Sequence, residues 1–473
     1  SLHYPEMISP EVSWGRLPNN TDSLSHFRVA TPEQPNNDTY TERVMKTVGF
    51  SEKGGIKTTP FYLKLSIDSP ADAVIRYTTD GSEPTSSSSI FHDSIYISGN
   101  TVIRAKPFSD SAISRISRTQ TYIFDRDGKM PIISIACDES YLTGDDLGIF
   151  SYSTSYSYSH PDNPPLRHWM GDENYLYNWR RPINIEYFSS DSTEPRLNQL
   201  AETRVSGNAS REYSTKSMVV YANKRFGNKH FKGVFWRNLK PNATKQKSMT
   251  IRTSNDDGWY SINDLLSQTA IGRFARYYDV DYQAHKTVLL YINGRFERIM
   301  HLQERDGDDF VWANHNKIED IEILETFDGL TSGSVDEELY PNFAHFLKTY
   351  ESENSTYQQM SELLDINAFM NFVSTQAYFA NIDFPSNNAA AWYDKQGTKK
   401  WRWIMKDMDA TMYESSYAYY NFLLRKEPFE YFFWANSQEA CMIYQKMFSL
   451  EKFKQPYLDR TCVLAGTAFS NNT

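Results

Sequence analysis

Between residues 46 and 124 the chain repeats with period two. Phe61-Tyr-Leu-Lys-Leu-Ser-Ile67, Ala73-Val-Ile-Arg-Tyr-Thr78 and Thr101-Val-Ile-Arg-Ala-Lys-Pro-Phe108 alternate, and turn clusters such as Asp80-Gly81-Ser82-Glu83-Pro84 and Ser98-Gly99-Asn100 separate them. Alternation sends successive side chains to opposite faces, so such runs bury one face only by packing on a second sheet. The pattern predicts a small antiparallel β-sandwich over 46–124. Residues 1–45 are polar and turn-rich (Pro18-Asn19-Asn20-Thr21, Pro35-Asn36-Asn37-Asp38) and read as an extended arm.

After a polar hinge at 125–129 the texture becomes mixed. Strand-like runs at Ile132–Ile135, Pro182–Tyr187, Thr287–Ile292 and Trp401–Met405 alternate with two helical segments. Ser261 to Tyr278 places Leu265, Leu266, Ala270, Phe274 and Tyr277 or Tyr278 near helical spacing, with Ser261 and Asp264 set like a capping box. Asp365 to Ala380 repeats the pattern with Ile366, Phe369, Met370, Val373 and Ala377 behind an Asp N-cap. Both stripes are expected to face a core, and 130–473 is expected to be an α+β domain.

Composition excludes several function classes. The 473 residues hold 49 Lys and Arg against 59 Asp and Glu, a net charge of −10 that opposes phosphate-neutralising contact with nucleic acid. No run approaches the roughly 20 apolar residues of a membrane helix. Three cysteines without a C-x-x-C allow at most one disulfide and no structural zinc site. There is no G-x-x-x-x-G-K-[ST], G-x-G-x-x-G, G-x-S-x-G or H-E-x-x-H, and His301-Leu-Gln-Glu-Arg305 ends in Arg where a second metal-binding His is needed.

Three polar clusters remain. Asn381-Ile-Asp383-Phe-Pro-Ser-Asn387-Asn388 follows the second helix, and Trp401-Arg-Trp-Ile-Met-Lys-Asp407-Met-Asp409 follows in turn. An Asp, an Asn five positions on and a further Asp at a strand end is an arrangement used in phosphoryl transfer, although such clusters also form ordinary turns. Arg204-Val-Ser-Gly207-Asn208-Ala-Ser210-Arg211 with Lys216 beyond it is either a phosphate-approaching loop or a β-hairpin with solvated basic residues. Tyr291-Ile-Asn293-Gly294 followed by Glu304-Arg305 reads as an Asn-Gly hairpin whose return strand ends in a charged pair. Glu304 there would fix a lysine or form a surface ion pair.

In this order the clusters resemble the CotH kinase family, the spore-coat protein H type of atypical protein kinase. The resembling segments are RVSGNASREYSTKSM from Arg204, Phe226-Gly227, RTSNDDGW from Arg252, Asp281 to Ala284, YING from Tyr291 with LQERD from Leu302, Asn381 to Asn388, and WRWIMKDMD from Trp401. The resemblance implies ATP with Mg²⁺ or Mn²⁺ as cofactors and Ser/Thr hydroxyls of a protein, this chain included, as acceptor. It implies that Asp383 is the catalytic Asp and that Asn388 or Asn387, with Asp407 and nearby Asp409, are metal ligands. Lys216 is then the phosphate-contacting lysine and Glu304 its acidic partner, with Arg204, Gly207, Asn208 and Ser210 on the nucleotide side. Two departures from the family pattern point toward altered nucleotide binding: Arg298 stands where the hairpin motif has a second Gly, and Ala410-Thr411 replace the aromatic and Gly after D-x-D.

Residues 46–124 resemble the Fn3-like chitobiase/β-hexosaminidase C-terminal domain, on Tyr77 to Pro84 and Thr101 to Lys106, and Trp14 to Asn37 resemble the end of a lamin-tail domain. That order is met in secreted or surface proteins of bacteria, the Bacteroides group among them, which implies an export signal outside these residues. It leaves a cell-surface polysaccharide as an alternative partner for a non-catalytic scaffold, while the net charge leads to the expectation of no nucleic-acid partner and the lack of a long apolar run to that of no membrane span.

Overall fold

The structure, a computed structural model, describes residues 12–36, 40–41, 43–68, 70–160, 165, 171–253, 262–275, 278–324, 335–352, 354–381, 384, 388–411 and 438–467. Packing divides the chain into two compact units: Ser1–Glu212 with Lys216–Gly233 and Thr287–Met300, and Tyr213–Thr215 with Val234–Lys286 and His301–Thr473.

In the first unit the polar arm forms a hairpin, Ser13–Leu17 against Asn20–Phe27, with Tyr40–Thr41 added to its edge. The period-two region forms a five-stranded sheet in the order Gly55–Ile56, Arg118–Ile123, Thr101–Phe108, Val74–Thr78, Ser89–Ile90, together with two short ladders, Gly49–Phe50 with Leu65–Ser66 and Phe61–Leu63 with Ile95–Ile97. Their inward positions, Val48, Leu63, Leu65, Ile75, Ile97, Ile103, Ala105 and Tyr122, make one core. The expected antiparallel pattern is broken at one place, where Tyr122 and Ile123 run parallel to Gly55 and Ile56.

Beyond the hinge, Ile132–Ala136 pairs antiparallel with Arg181–Phe188 and parallel with Leu289 to Ile292, and the sheet continues through Leu197–Val205 to Met218–Tyr221. Ile123 and Ile56 of the sandwich share a core with Ile132, Phe188, Leu289 and Tyr291. Asn293 and Gly294 both have positive φ, the geometry of a two-residue hairpin turn, and Asn293 exchanges two 3.0 Å hydrogen bonds with the Cys137 backbone.

The second unit is built on a four-stranded sheet in the order Asp281–Tyr282, Trp401–Met405, Ala389–Asp394, Ile321–Leu324. Helices Pro341–Glu351 and Ile366–Tyr378 pack on it through Phe343, Phe346 and Phe369, which meet Trp401 and Trp403. The second of these helices begins as its sequence predicts, with the Asp365 carboxylate accepting from the Ala368 N–H at 3.2 Å. The mixture of helix and strand is α+β, and among the described residues no helix is long and apolar enough to cross a membrane.

The first predicted helix, Asn263–Phe274, departs from its pattern. Its buried positions are Asp264, Ser267, Gln268, Ile271 and Gly272, while Leu266 is 48% exposed. The helix turns a mostly polar stripe inward because those groups find partners there. Asp264 caps nothing: its carboxylate accepts from the Met408 N–H at 2.9 Å, and Ser261 lies outside the described residues.

Candidate functional site

Within the second unit the ladder brings two of the expected metal ligands to one end of the sheet. Ala389 pairs with Met405, so Asn388 before the one and Lys406-Asp407 after the other leave the sheet together. Tyr282, parallel to Met405 on the other side, sends Gln283 and Ala284 out at the same end. Asn388 and Asp407 both occupy the left-handed region, with φ of 52° and 49°, which Asn and Asp tolerate better than other side chains. Asp407 opens a 3₁₀ turn, Met408–Ala410, that the Asn263–Phe274 helix clamps. Asn263 Nδ2 donates to the Asp409 and Thr411 carbonyls at 3.2 and 3.0 Å, and the Ser267 and Thr411 hydroxyls meet at 2.8 Å.

Arg252, on the strand Ser248–Thr253, gathers the carboxylates. Its Nη2 donates to Asp407 Oδ1 and lies 3.3 Å from Asp409 Oδ2, while Nη1 lies 3.1 Å from Asp264 Oδ2. Burial opposes ionisation of Asp264, but Arg252 and then His285 hold its carboxyl below the usual range. The three carboxylates raise Arg252 despite its own desolvation, so it stays charged. His285 is enclosed, and burial pushes it down to about 4, leaving a neutral imidazole at pH 7.

Glu304 is held in a separate buried cluster, and its partner is a different lysine from the one expected. Lys240 Nζ lies 2.5 Å from Glu304 Oε2, which also accepts from the Ala284 N–H at 2.9 Å, while Asn314 Nδ2 donates to Oε1 at 3.0 Å. Lys240 also donates to the Tyr282 carbonyl at 2.6 Å and sits over the Tyr282 and Phe310 rings. The expected pairing of Glu304 with Lys216 is thus replaced by one with Lys240, because Lys240 reaches the carboxylate buried behind Ala284.

The loop from Arg204 to Lys216 belongs to the first unit except for Tyr213–Thr215, and Ser206 N–H to the Ser217 carbonyl (2.8 Å) closes it as a hairpin connection. Gly207 has φ of 97°, and a Cβ there would lie 2.1 Å from Ser210 Oγ, so the turn requires glycine. The loop is organised around Arg211, which the sequence reading did not single out: fully buried, it donates to the carbonyls of Gly207, Tyr175 and Tyr177 and to Asn178 Oδ1. Arg204 donates to Tyr221 Oη, Asn178 Oδ1 and the Val205 carbonyl, and Asn208 is exposed. Lys216 Nζ donates to the Arg211 carbonyl at 2.7 Å and lies 3.9 Å from the Tyr175 ring centroid, and burial pushes it down to about 8.

Of the expected site residues, the structure therefore brings Asp407 and Asp409 onto one guanidinium and Asn388 to the same strand end. Lys216, Arg204, Gly207, Asn208 and Ser210 lie in the first unit and Glu304 in the second, while Asp383 and Asn387 fall outside the described residues. Arg252, Gln268, His285 and Lys240 were not assigned roles from sequence, and Asp264 was expected only as part of a helix cap. The signal for Asp264 and Gln268 was a helically spaced polar stripe, Asp264-Ser267-Gln268, which also describes a solvated face. A cleft of about 440 Å³ beside Arg28, Arg76 and Lys106 in the first unit, and one of about 420 Å³ beside Asp365 and Arg460 in the second, are lined by none of these residues.

As hard oxygen donors, Asp407, Asp409 and Asn388 suit a divalent cation, and the guanidinium between the two carboxylates is itself a cation held there. Among the described residues no three His, Cys, Asp or Glu side chains gather as a metal site, so an amide oxygen and phosphate oxygens would have to complete the shell.

A family model described as CotH kinase protein matches residues 203–473, more than half of the chain, and one described as chitobiase/beta-hexosaminidase C-terminal domain matches residues 52–121. The chain belongs to the CotH kinase protein family. No curated protein matches it.

Proposed function

We propose that the chain is an extracytoplasmic bacterial protein kinase that transfers the γ-phosphate of ATP to Ser or Thr hydroxyls of a protein acceptor in a reaction needing Mg²⁺ or Mn²⁺. The observation that supports this reading is the shared strand end, where Asn388 and Asp407 emerge side by side and Asp409 shares the Arg252 guanidinium with Asp407. A divalent cation held by these oxygens would neutralise phosphate charge. Asp383 is proposed to take the acceptor hydroxyl proton as the oxygen bonds to phosphorus and ADP leaves with the cleaved bond's electron pair. Lys216, with Arg204, Gly207, Asn208 and Ser210, is proposed to contact the nucleotide phosphates through the loop whose backbone Arg211 braces. The module order of a chitobiase-like domain before a CotH domain supports a place outside the cytoplasm. The test is incorporation of radiolabelled γ-phosphate into the chain or a Ser-rich protein. Incorporation that requires a divalent cation and disappears in Asp407→Asn supports the reading, and none from a folded wild type overturns it.

One observation favours a second reading, a non-catalytic surface-binding scaffold. Tyr62 and Tyr96 are cross-strand partners on a short ladder of the sandwich, 66% and 57% exposed, with ring centroids 5.0 Å apart. Paired exposed rings with polar tips are the kind of platform on which a sugar ring stacks. Retention of the chain by an insoluble polysaccharide, lost in Tyr62→Ala/Tyr96→Ala, would support it.

A further inference from the structure

We propose that Arg252 is a resident counter-cation that occupies the divalent-cation position in the ligand-free protein and must be displaced for the metal to bind. The inference rests on the phosphotransfer reading for the identity of that metal, and its own evidence is the contact pattern of the guanidinium. Two of its nitrogens serve three carboxylates: Nη2 reaches Asp407 and Asp409, and Nη1 reaches Asp264. Three carboxylates thus share one guanidinium, and the nearby Lys406 ammonium is paired with Asp306 at 2.8 Å.

The three carboxylates are not equivalent. Asp264 is a fixed anchor: buried, on a helix, its Oδ1 taken by the Met408 N–H at 2.9 Å and its Oδ2 within 3.4 Å of Gln303 Nε2. Asp407 and Asp409 retain 31% and 29% of their side-chain exposure, so solvent ions reach them. Arg252 can therefore leave Asp407 and Asp409 while Asp264 stays in place. An independent observation concerns His285, whose buried ring nitrogens have no hydrogen-bond partner among the described residues although Nε2 lies 3.6 Å from Asp264 Oδ2. A buried donor left unsatisfied beside the anchor is a ready replacement partner for Asp264 as the guanidinium moves off. Two arrangements of one charge cluster then exist, and the metal selects between them by differential affinity.

The experiment is Mn²⁺ titration of the full chain, read by the electron paramagnetic resonance signal of free Mn²⁺, for wild type, Arg252→Gln, Arg252→Lys and Asp407→Asn, with thermal melting of each. Competition from a resident cation lowers apparent affinity by the fraction of protein in the competent state, so Arg252→Gln should bind Mn²⁺ about tenfold more tightly or better, Arg252→Lys less so, and Asp407→Asn weakly. Arg252→Gln should melt below wild type without metal and gain a larger shift with it. If Arg252→Gln does not fold, Arg252→Lys, which keeps a charge but loses the fork, carries the same test. Wild type that binds Mn²⁺ while the folded Arg252 variants bind it equally or less overturns the inference and leaves the phosphotransfer reading standing. Binding by Arg252→Gln but not by wild type supports the inference and removes the phosphotransfer reading. Binding by none overturns both.

Discussion

Asp407 combines three constraints in one residue: a left-handed backbone at φ 49°, a strand end on one side, and a carboxylate shared with Asp409 on Arg252. Asp407→Asn keeps the size of the side chain and leaves Arg252 its contacts to Asp264 and Asp409. It should therefore fold, and should lose metal-dependent nucleotide binding and phosphate transfer together. Asp383→Asn should differ, costing about 10²- to 10⁴-fold in turnover, the usual contribution of a positioned base, while MgATP still raises the melting temperature. Equal loss of nucleotide binding in both variants would remove the division of roles. Lys240 makes a contrasting prediction. Lys240→Met leaves Glu304, 1% exposed, as a buried charge without a counter-ion, and should cost about 3–5 kcal/mol in urea unfolding. Replacing both, Lys240→Met with Glu304→Gln, should recover much of that loss.

At the scale of elements, the Asn263–Phe274 helix reverses the usual valuation of apolar and polar positions. Gln268 accepts from the Gln283 N–H at 3.1 Å and donates to the Met405 carbonyl at 3.1 Å, tying the helix to the strand that ends at the site. Gln268→Ala leaves two buried backbone groups unpaired and should cost about 1–3 kcal/mol for each, whereas Leu266→Ala, at a half-exposed position, should change stability by less than about 0.5 kcal/mol. Denaturant midpoints of the two variants decide between this polar face and the apolar stripe read from sequence. The contact between the sandwich and the sheet after it makes a pH prediction. Glu186 is buried there, accepting from Thr121 Oγ1 at 2.5 Å and Asn198 Nδ2 at 3.0 Å, and burial pushes its carboxyl up to about 8 from 4.5. The folded state keeps the proton that the unfolded state releases, so this group's contribution to stability is full below pH 4.5 and is lost as pH rises through about 8. Glu186→Gln should flatten the decline across that window, measured as urea midpoint against pH, and an unchanged slope would show that another group carries it.

For the whole molecule, the sandwich is more than an appended spacer, since Ile56 and Ile123 complete a core with Ile132, Phe188, Leu289 and Tyr291. Removing residues 1–124 uncovers that cluster and leaves Glu186 without Thr121, so the remainder should melt at a lower temperature than the full chain. The acidic strand end contains none of the deleted residues, and MgATP should still raise the melting temperature of the remainder by mass action. A folded remainder that has lost this shift would mean that nucleotide binding needs the sandwich.

The sequence by itself determined what depends on neighbours along the chain. The alternation of 46–124 made a sandwich because a strand repeats every two residues, Asp365 capped its helix because the acceptor and donor lie three residues apart, and Asn293-Gly294 turned the hairpin because both residues take positive φ. Asp407, Asp409 and Asn388 were readable as a motif for the same reason. Only the tertiary structure decided which charges meet. Arg252 finds Asp407 across 155 positions, and Lys240 rather than Lys216 reaches Glu304. Coulomb and hydrogen-bond energies depend on separation in space and on the water excluded between partners, and neither quantity is written in local order. The polar stripe of Asp264, Ser267 and Gln268 would suit solvent equally well, and only the turn and strand packed against it make it an interior face.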